Sequence, residues 1–188
     1  MSIKKVQDRA VDFTSYLEGL VDKDNRGALA DLRKGLADPP GMTFEMYRYI
    51  VPHVEGIKSR WEVNVYYLVA TLFAWHQIAW HPSEDQKFSN LGTSLRELIP
   101  PESEEKDESE KKMEPLERHF IALLNCHCDD LHEHLKQLFG LLKGKGIAVD
   151  YVRLIKDLVN WDRERWHVPQ NWANEFWKGN KNTSIHNK

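Results

Sequence analysis

Leu116-Glu117-Arg118-His119-Phe120-Ile121-Ala122-Leu123-Leu124-Asn125-Cys126-His127-Cys128-Asp129-Asp130-Leu131-His132-Glu133-His134-Leu135-Lys136-Gln137-Leu138-Phe139-Gly140-Leu141-Leu142 returns an apolar side chain to one helix face turn after turn. At about 100° per residue, Leu116, Phe120, Leu123, Leu124, Leu131, Leu135, Leu138 and Leu142 form a single apolar arc. The stretch from about Pro115 to Leu142 therefore reads as one long helix. Arg118 and Lys136 stand eighteen residues apart, five full turns, and share an azimuth opposite that arc. Asn125, His132 and Lys143 lie near the same line, with Asp129 interrupting it. A polar stripe weighted towards cations results, although every amphipathic helix has a solvated face and pattern alone favours that plain reading.

Working outward, the rest of the chain has the same helical period and no convincing strand alternation. Val6, Ala10, Phe13, Leu17 and Leu20 predict a helix over about 3–21. A second begins at Asp24 or Asn25, either a good N-cap, and ends before Pro39-Pro40-Gly41. A third covers about Thr43 to Ile50, with Thr43 as its cap and Pro52 near its end. A long hydrophobic helix runs from about Arg60 to Trp80, stopped by Pro82, and a shorter one ends near Leu98. Past the long 115–142 helix, Gly144-Lys145-Gly146 turns the chain. Asp150 caps a helix reaching about Trp161, and a last helix spans about Pro169 to Trp177. Eight or nine helices result, an all-α fold in two packed bundles: residues 1–101 and 115–178. Between them lies an acidic linker or loop, 102–114, and after them a disordered tail, 179–188.

The formal charge of the 188-residue chain is −3, but it is unevenly spread. Over 102–117, eight acids face only three lysines, so that stretch carries −5 and leaves +2 for everything else. Local patches, rather than the sum, decide whether a polyanion can bind. Arg26 and Arg33 share a helix face seven residues apart. Cations about 10 Å apart along a helix can meet successive phosphates, which implies binding to backbone without base readout. No run of about eighteen apolar residues occurs, so no membrane span is read. Charge appears too early at the N-terminus for a signal-peptide core, and Cys126 and Cys128, one residue apart, have a poor spacing for a structural disulfide. The expected location is cytoplasmic.

Enzyme signatures are absent: there is no P-loop, no G-x-S-x-G, no H-E-x-x-H and no dinucleotide loop. Glu62, Asp157 and Asp162 read as members of surface ion pairs. Cys128 and His132, four apart, could share a metal, but no second ligand pair stands at zinc-site spacing. Neither a metal nor a cofactor is expected. The abundant Trp and Phe residues fall at helical spacings, so Trp75, Trp80, Phe73 and Tyr66 read as core before they read as base-stacking platforms.

Several of these segments, in order, resemble the CasB family, the small subunit of the type I-E CRISPR surveillance complex Cascade. Gly27-Ala28-Leu29-Ala30-Asp31-Leu32-Arg33-Lys34 is similar to its Gly-Ala-Leu-Ala-x-Leu-Arg-Arg signature. Arg118-His119-Phe120-Ile121-Ala122-Leu123-Leu124 resembles its Arg-Arg-Phe-x-x-Leu-Leu, and Leu131 with His134-Leu135-Lys136 resembles Leu-x-x-His-Leu-Arg. Val149-Asp150-Tyr151, Leu154, Asp157-Leu158, Trp161, Trp172-Ala173 and Phe176-Trp177 follow its closing pattern. Lys34, His119 and Lys136 depart from it, standing where arginine is usual. Lysine keeps the charge but loses the bidentate fork, and His119 is largely neutral at pH 7.

The resemblance implies a non-catalytic, all-helical subunit present as two touching copies. These lie between the large subunit and the repeated backbone subunits that hold the crRNA. It also implies stabilisation of the R-loop formed on target DNA, including its displaced single strand. From the matching motifs, Arg33, Lys34, Arg118, His119 and Lys136 become candidate nucleic-acid contacts. Arg26, Arg60, Arg96 and Lys143 join them on charge and helix position. The alternative is a helical scaffold that touches only protein.

Overall fold

The computed structural model describes residues 3–82, 89–99, 106–161 and 167–178. Nine α-helices lie among them: α1 Ile3–Asp22, α2 Arg26–Arg33, α3 Tyr47–Val54, α4 Arg60–His76, α5 Leu91–Arg96, α6 Lys106–Asn125, α7 Leu131–Lys145, α8 Tyr151–Val159 and α9 His167–Trp177. Short 3-10 turns follow α2 at Lys34–Leu36 and precede α3 at Phe44–Met46 and α7 at Cys128–Asp130. Extended pairing among the described residues is confined to one isolated parallel bridge, Ala79 to Val149. The fold is all-α, as the helical period requires.

Caps explain most helix starts. Asn25 accepts from the Ala28 amide at 3.1 Å, Ser59 from Glu62 at 3.2 Å and Asp150 from Arg153 at 2.8 Å. Asn90 and Thr93 form a reciprocal capping box on α5. Thr43 does not cap α3; its hydroxyl donates to Asp38 at 3.0 Å instead. Gln77 ends α4 in a left-handed conformation, φ 62°, before Trp80 is reached.

Two further differences from the sequence reading concern α6 and α7. The 115–142 segment is two helices, because Asn125-Cys126-His127-Cys128-Asp129-Asp130 breaks it. His127 is extended and accepts from the Asp129 amide, so a side chain competes for the backbone there. The single polar stripe joining Arg118 to Lys136 is therefore lost. In the other direction, α6 begins at Lys106, inside the stretch read as an acidic linker. Asp107 with Lys111 and Glu108 with Lys112 have the four-residue spacing that supports a helix. The tail assigned to 179–188 falls outside the described residues.

The core centres on α4. From Val65 to Ala74 every residue is buried, so this helix is covered on all sides. It packs on α2, α3, α7 and α8, and α8 packs in turn on α1, so buried residues from both halves of the chain form one cluster. The C-terminal helices meet through Phe120, whose ring lies 4.4 Å from Phe176 and 5.5 Å from Trp177. Indole N–H groups are spent on the fold: Trp61 donates to the Leu158 carbonyl at 2.9 Å and Trp177 to Glu117 at 2.9 Å.

Glu62 and Asp157 are almost fully buried, contrary to the surface part of the reading, although Asp157 does form an ion pair, with Arg153; Asp162 lies outside the described residues. Asp157 accepts from Trp172 Nε1 at 2.6 Å and from Arg153 Nε at 2.8 Å. Four apart on α8, Arg153 compensates the carboxylate that α9 buries. Burial still pushes the Asp157 carboxyl above its ordinary range, against the pull of Arg153 and Trp172.

His76, buried at the end of α4, shares a 2.8 Å hydrogen bond with the Tyr151 hydroxyl and packs on Phe139. Burial, with a smaller repulsion from Lys143, lowers its pKa below 6.5, and burial lowers that of His53 as well. A histidine held neutral when folded but titrating near 6.5 when unfolded gains its proton by unfolding. Stability is thus intact above pH 6.5 and falls as pH drops below it. The slope is at most about 1.4 kcal/mol per pH unit for each histidine. Asp150 and Asp157, both raised by burial, act with opposite sign in a window that opens at the ordinary carboxylate value of 3.8 and extends upward from it. Urea midpoints at pH 7.5 and 5.5 test this: His76→Gln should narrow the difference, and an unchanged difference would remove His76 as its source.

Candidate nucleic-acid interface

Helices α4 and α7 run side by side in the same direction. At their N-terminal ends, Arg60, Trp61 and Asn64 share a depression of about 220 Å³ with Cys128, Asp129 and His132. Towards their C-terminal ends, His76 meets Phe139, and the Trp75 ring lies so close to Gly140 that an added Cβ would stand 3.3 Å from it. The parallel bridge from Ala79 to Val149 continues this alignment beyond both helices.

Three of the nine candidate cations line this seam. Arg60 stands at its start, exposed and without an ion pair among the described residues. Lys136 lies in an adjoining depression that shares Pro39, Pro40, Leu68 and His132 with the first. Its Nζ donates to the Leu36 carbonyl at 2.8 Å, tying α7 to the turn after α2. Lys143 donates to the Trp75 carbonyl and sits 5.3 Å over the Trp75 ring. Lys136 and Lys143 are about 10 Å apart along α7, and Arg60 to Trp75 spans about 22 Å of α4. Each ammonium has three protons, so one carbonyl leaves two for a ligand.

The other six stand elsewhere. Lys34 is held by Asp31 and Glu45, both at 3.0 Å, which raises its pKa and ties up its charge. Asp31 also accepts from Arg48 and, at 3.1 Å, from Tyr49, and these donors, Lys34 first, hold its carboxyl below the usual range. Arg26 pairs with Asp24 at 3.0 Å. Arg33 is exposed, its Nε turned back to the Leu29 carbonyl of its own helix. Arg96 on α5 and Arg118 and His119 on α6 are exposed and line neither depression. Arg48 was not singled out from sequence; its partner, Asp31, lies seventeen residues away, beyond any helical spacing.

A sequence profile of the CRISPR-associated protein Cse2 family matches residues 28–177. The chain belongs to the Cse2 family. The CRISPR-associated protein Cse2 of Thermus thermophilus is 29% identical over 175 residues, which cover 90% of this chain and 89% of that one. A crystal structure of CasB from Thermus thermophilus superposes with a TM-score of 0.72 at 27% identity, over 89% of this chain and 97% of the other. A chain of a CRISPR RNA-guided surveillance complex, 22% identical, shares the fold with a TM-score of 0.70, over 91% and 92% of the two chains. The all-helical architecture is thus that of Cse2 proteins, and the match covers both helices of the seam.

Proposed function

We propose that this Cse2 protein is the non-catalytic small subunit of a type I-E CRISPR RNA-guided surveillance complex, Cascade. In this reading it works beside the large subunit, the repeated backbone subunits, the crRNA and a second copy of itself. Its task is to hold nucleic-acid backbone without reading sequence, steadying the R-loop and the displaced strand of target DNA in antiviral defence. The observation that carries the nucleic-acid part is the row of Arg60, Lys136 and Lys143 along the α4–α7 seam. Exchange of a DNA duplex for a guide–target heteroduplex is nearly balanced, so a few backbone contacts can tip it. Membership of the Cse2 family and the fold shared with a surveillance-complex chain support the assembly part.

One observation favours a protein-only scaffold as the second reading. Met42, Phe44, Tyr47 and Val51 form an exposed apolar run, with Phe44 79% exposed, and the adjacent Lys34 and Arg48 are already neutralised by acids. Such a face suits a protein neighbour better than a phosphate chain. Fluorescence anisotropy of labelled single-stranded DNA, titrated with the full chain at several salt concentrations, separates the two. Backbone contact gives a log–log salt slope of about −0.7 per phosphate contacted. Absence of binding at low salt would leave the scaffold reading in place.

A further inference from the structure

The break between α6 and α7 gathers three metal-ligating side chains that a continuous helix would splay about 100° apart. His127 Nδ1 lies 3.5 Å from Cys128 Sγ and 3.4 Å from Asp129 Oδ2, and Cys128 Sγ lies 3.9 Å from Asp129 Oδ1. Zinc bonds of about 2.3 Å to sulfur and about 2.0–2.1 Å to nitrogen and oxygen, set at the tetrahedral angle, place ligand atoms about 3.3–3.6 Å apart. The nitrogen–sulfur separation matches such a face. The exposed Asp129 carboxylate turns one oxygen to the ring and the other to the sulfur, so it must rotate to bring a single oxygen to both; taking one ligand atom from each residue, the three already lie within 4.8 Å of one another. From this geometry we infer that His127, Cys128 and Asp129 bind one divalent metal ion of the zinc class, with its fourth position open to solvent.

The chemistry of the donor set is consistent with that metal. Thiolate, imidazole and carboxylate together select a borderline ion over magnesium or calcium, which take oxygen alone. A thiolate and a carboxylate balance the ion's two charges. Neither cysteine is in a disulfide. The Asp129 amide donates to His127 Nδ1 over 3.4 Å, a long contact that a metal bond outcompetes by pulling the ring into the turn. His132, weighed from sequence as the partner of Cys128, instead makes a 3.1 Å contact with the Asp129 carbonyl.

Cobalt(II) titrated into the reduced full chain tests the site. A thiolate-to-cobalt charge-transfer band saturating at one equivalent, with tetrahedral d–d absorption and bleaching by zinc, is the expected result. Loss of an outer-shell partner alone commonly weakens metal binding 10–100-fold, so C128S, H127Q and D129N should each weaken it by at least about tenfold. C126S should bind as the parent does, and far-UV circular dichroism checks that all four variants fold. Absence of the charge-transfer band, its survival in C128S or its loss in C126S would overturn the assignment. So would weak octahedral absorption alone, the sign of adventitious binding by surface histidines.

Discussion

Replacing Arg60 by glutamate, with Lys136 and Lys143 by glutamine, should weaken single-stranded DNA binding by roughly ten- to a hundredfold near 0.1 M salt and flatten the salt slope by about two units, about 0.7 for each lost contact. Glutamine is chosen for the lysines because both ammonium groups support the fold through a carbonyl, at Leu36 and at Trp75. An amide N–H can keep those hydrogen bonds while the charge goes. A change to methionine would strand the Leu36 carbonyl, confusing a loss of stability with a loss of affinity. Arg26→Gln is the matched control. Arg26 is already paired with Asp24 and stands away from the seam, so its loss should leave the slope unaltered. A triple variant that folds and keeps the parent's slope would show that phosphate is held elsewhere or not at all.

What the sequence could and could not reveal follows from the range of the interactions concerned. Caps act over three residues, so Asp150 was readable as a helix start from its neighbours alone, and Asn25 as one of two adjacent choices with Asp24. The apolar arcs were equally local, and the arc on 116–142 survives as buried Leu116, Phe120, Leu123, Leu131, Leu135, Leu138 and Leu142. Continuity between the two parts of that arc was not local. Helical period passes through 125–130 unbroken, while the His127 side chain bonding the Asp129 amide breaks the backbone. Asp157 was misread because its compensation comes from two directions: Arg153 is visible one turn away, but Trp172 is fifteen residues off on another helix. The seam was partly legible. Arg60, Lys136 and Lys143 were each marked as cations, yet their meeting depends on α4 and α7 running parallel, which rests on contacts between segments about seventy residues apart.

Gly92→Ala should be the most destabilising single-methyl change in the described chain, by about 3 kcal/mol or more, the upper end of what overpacking costs. A Cβ at Gly92 would stand 2.0 Å from the Trp172 carbonyl oxygen and 2.8 Å from its carbon, so the clash is with backbone and no rotamer relieves it. Neither side can retreat easily. On the α5 side, Asn90 caps the helix and donates to the Asn171 carbonyl at 3.3 Å, while Ser94 donates to the Ala148 carbonyl at 2.8 Å. On the α9 side, Trp172 is fully buried, bonded to Asp157 and packed edge-on against Trp161 at 5.1 Å. Moving α9 outward therefore breaks the hydrogen bond to a buried carboxylate as well as the helix contact, and the two losses arrive together. For a chain of this size the melting temperature should drop by roughly 6–12 °C. Gly19→Ala supplies the opposite expectation: it lies in the last turn of α1 with nothing within 4 Å of an added Cβ, so it should stabilise by about 0.5 kcal/mol, the low end of the glycine-to-alanine gain within a helix. Thermal melts of the two variants beside the parent decide the matter. Were Gly92→Ala to melt within a degree of the parent, the close approach of α5 to α9, and with it the anchoring of Trp172, would be wrong.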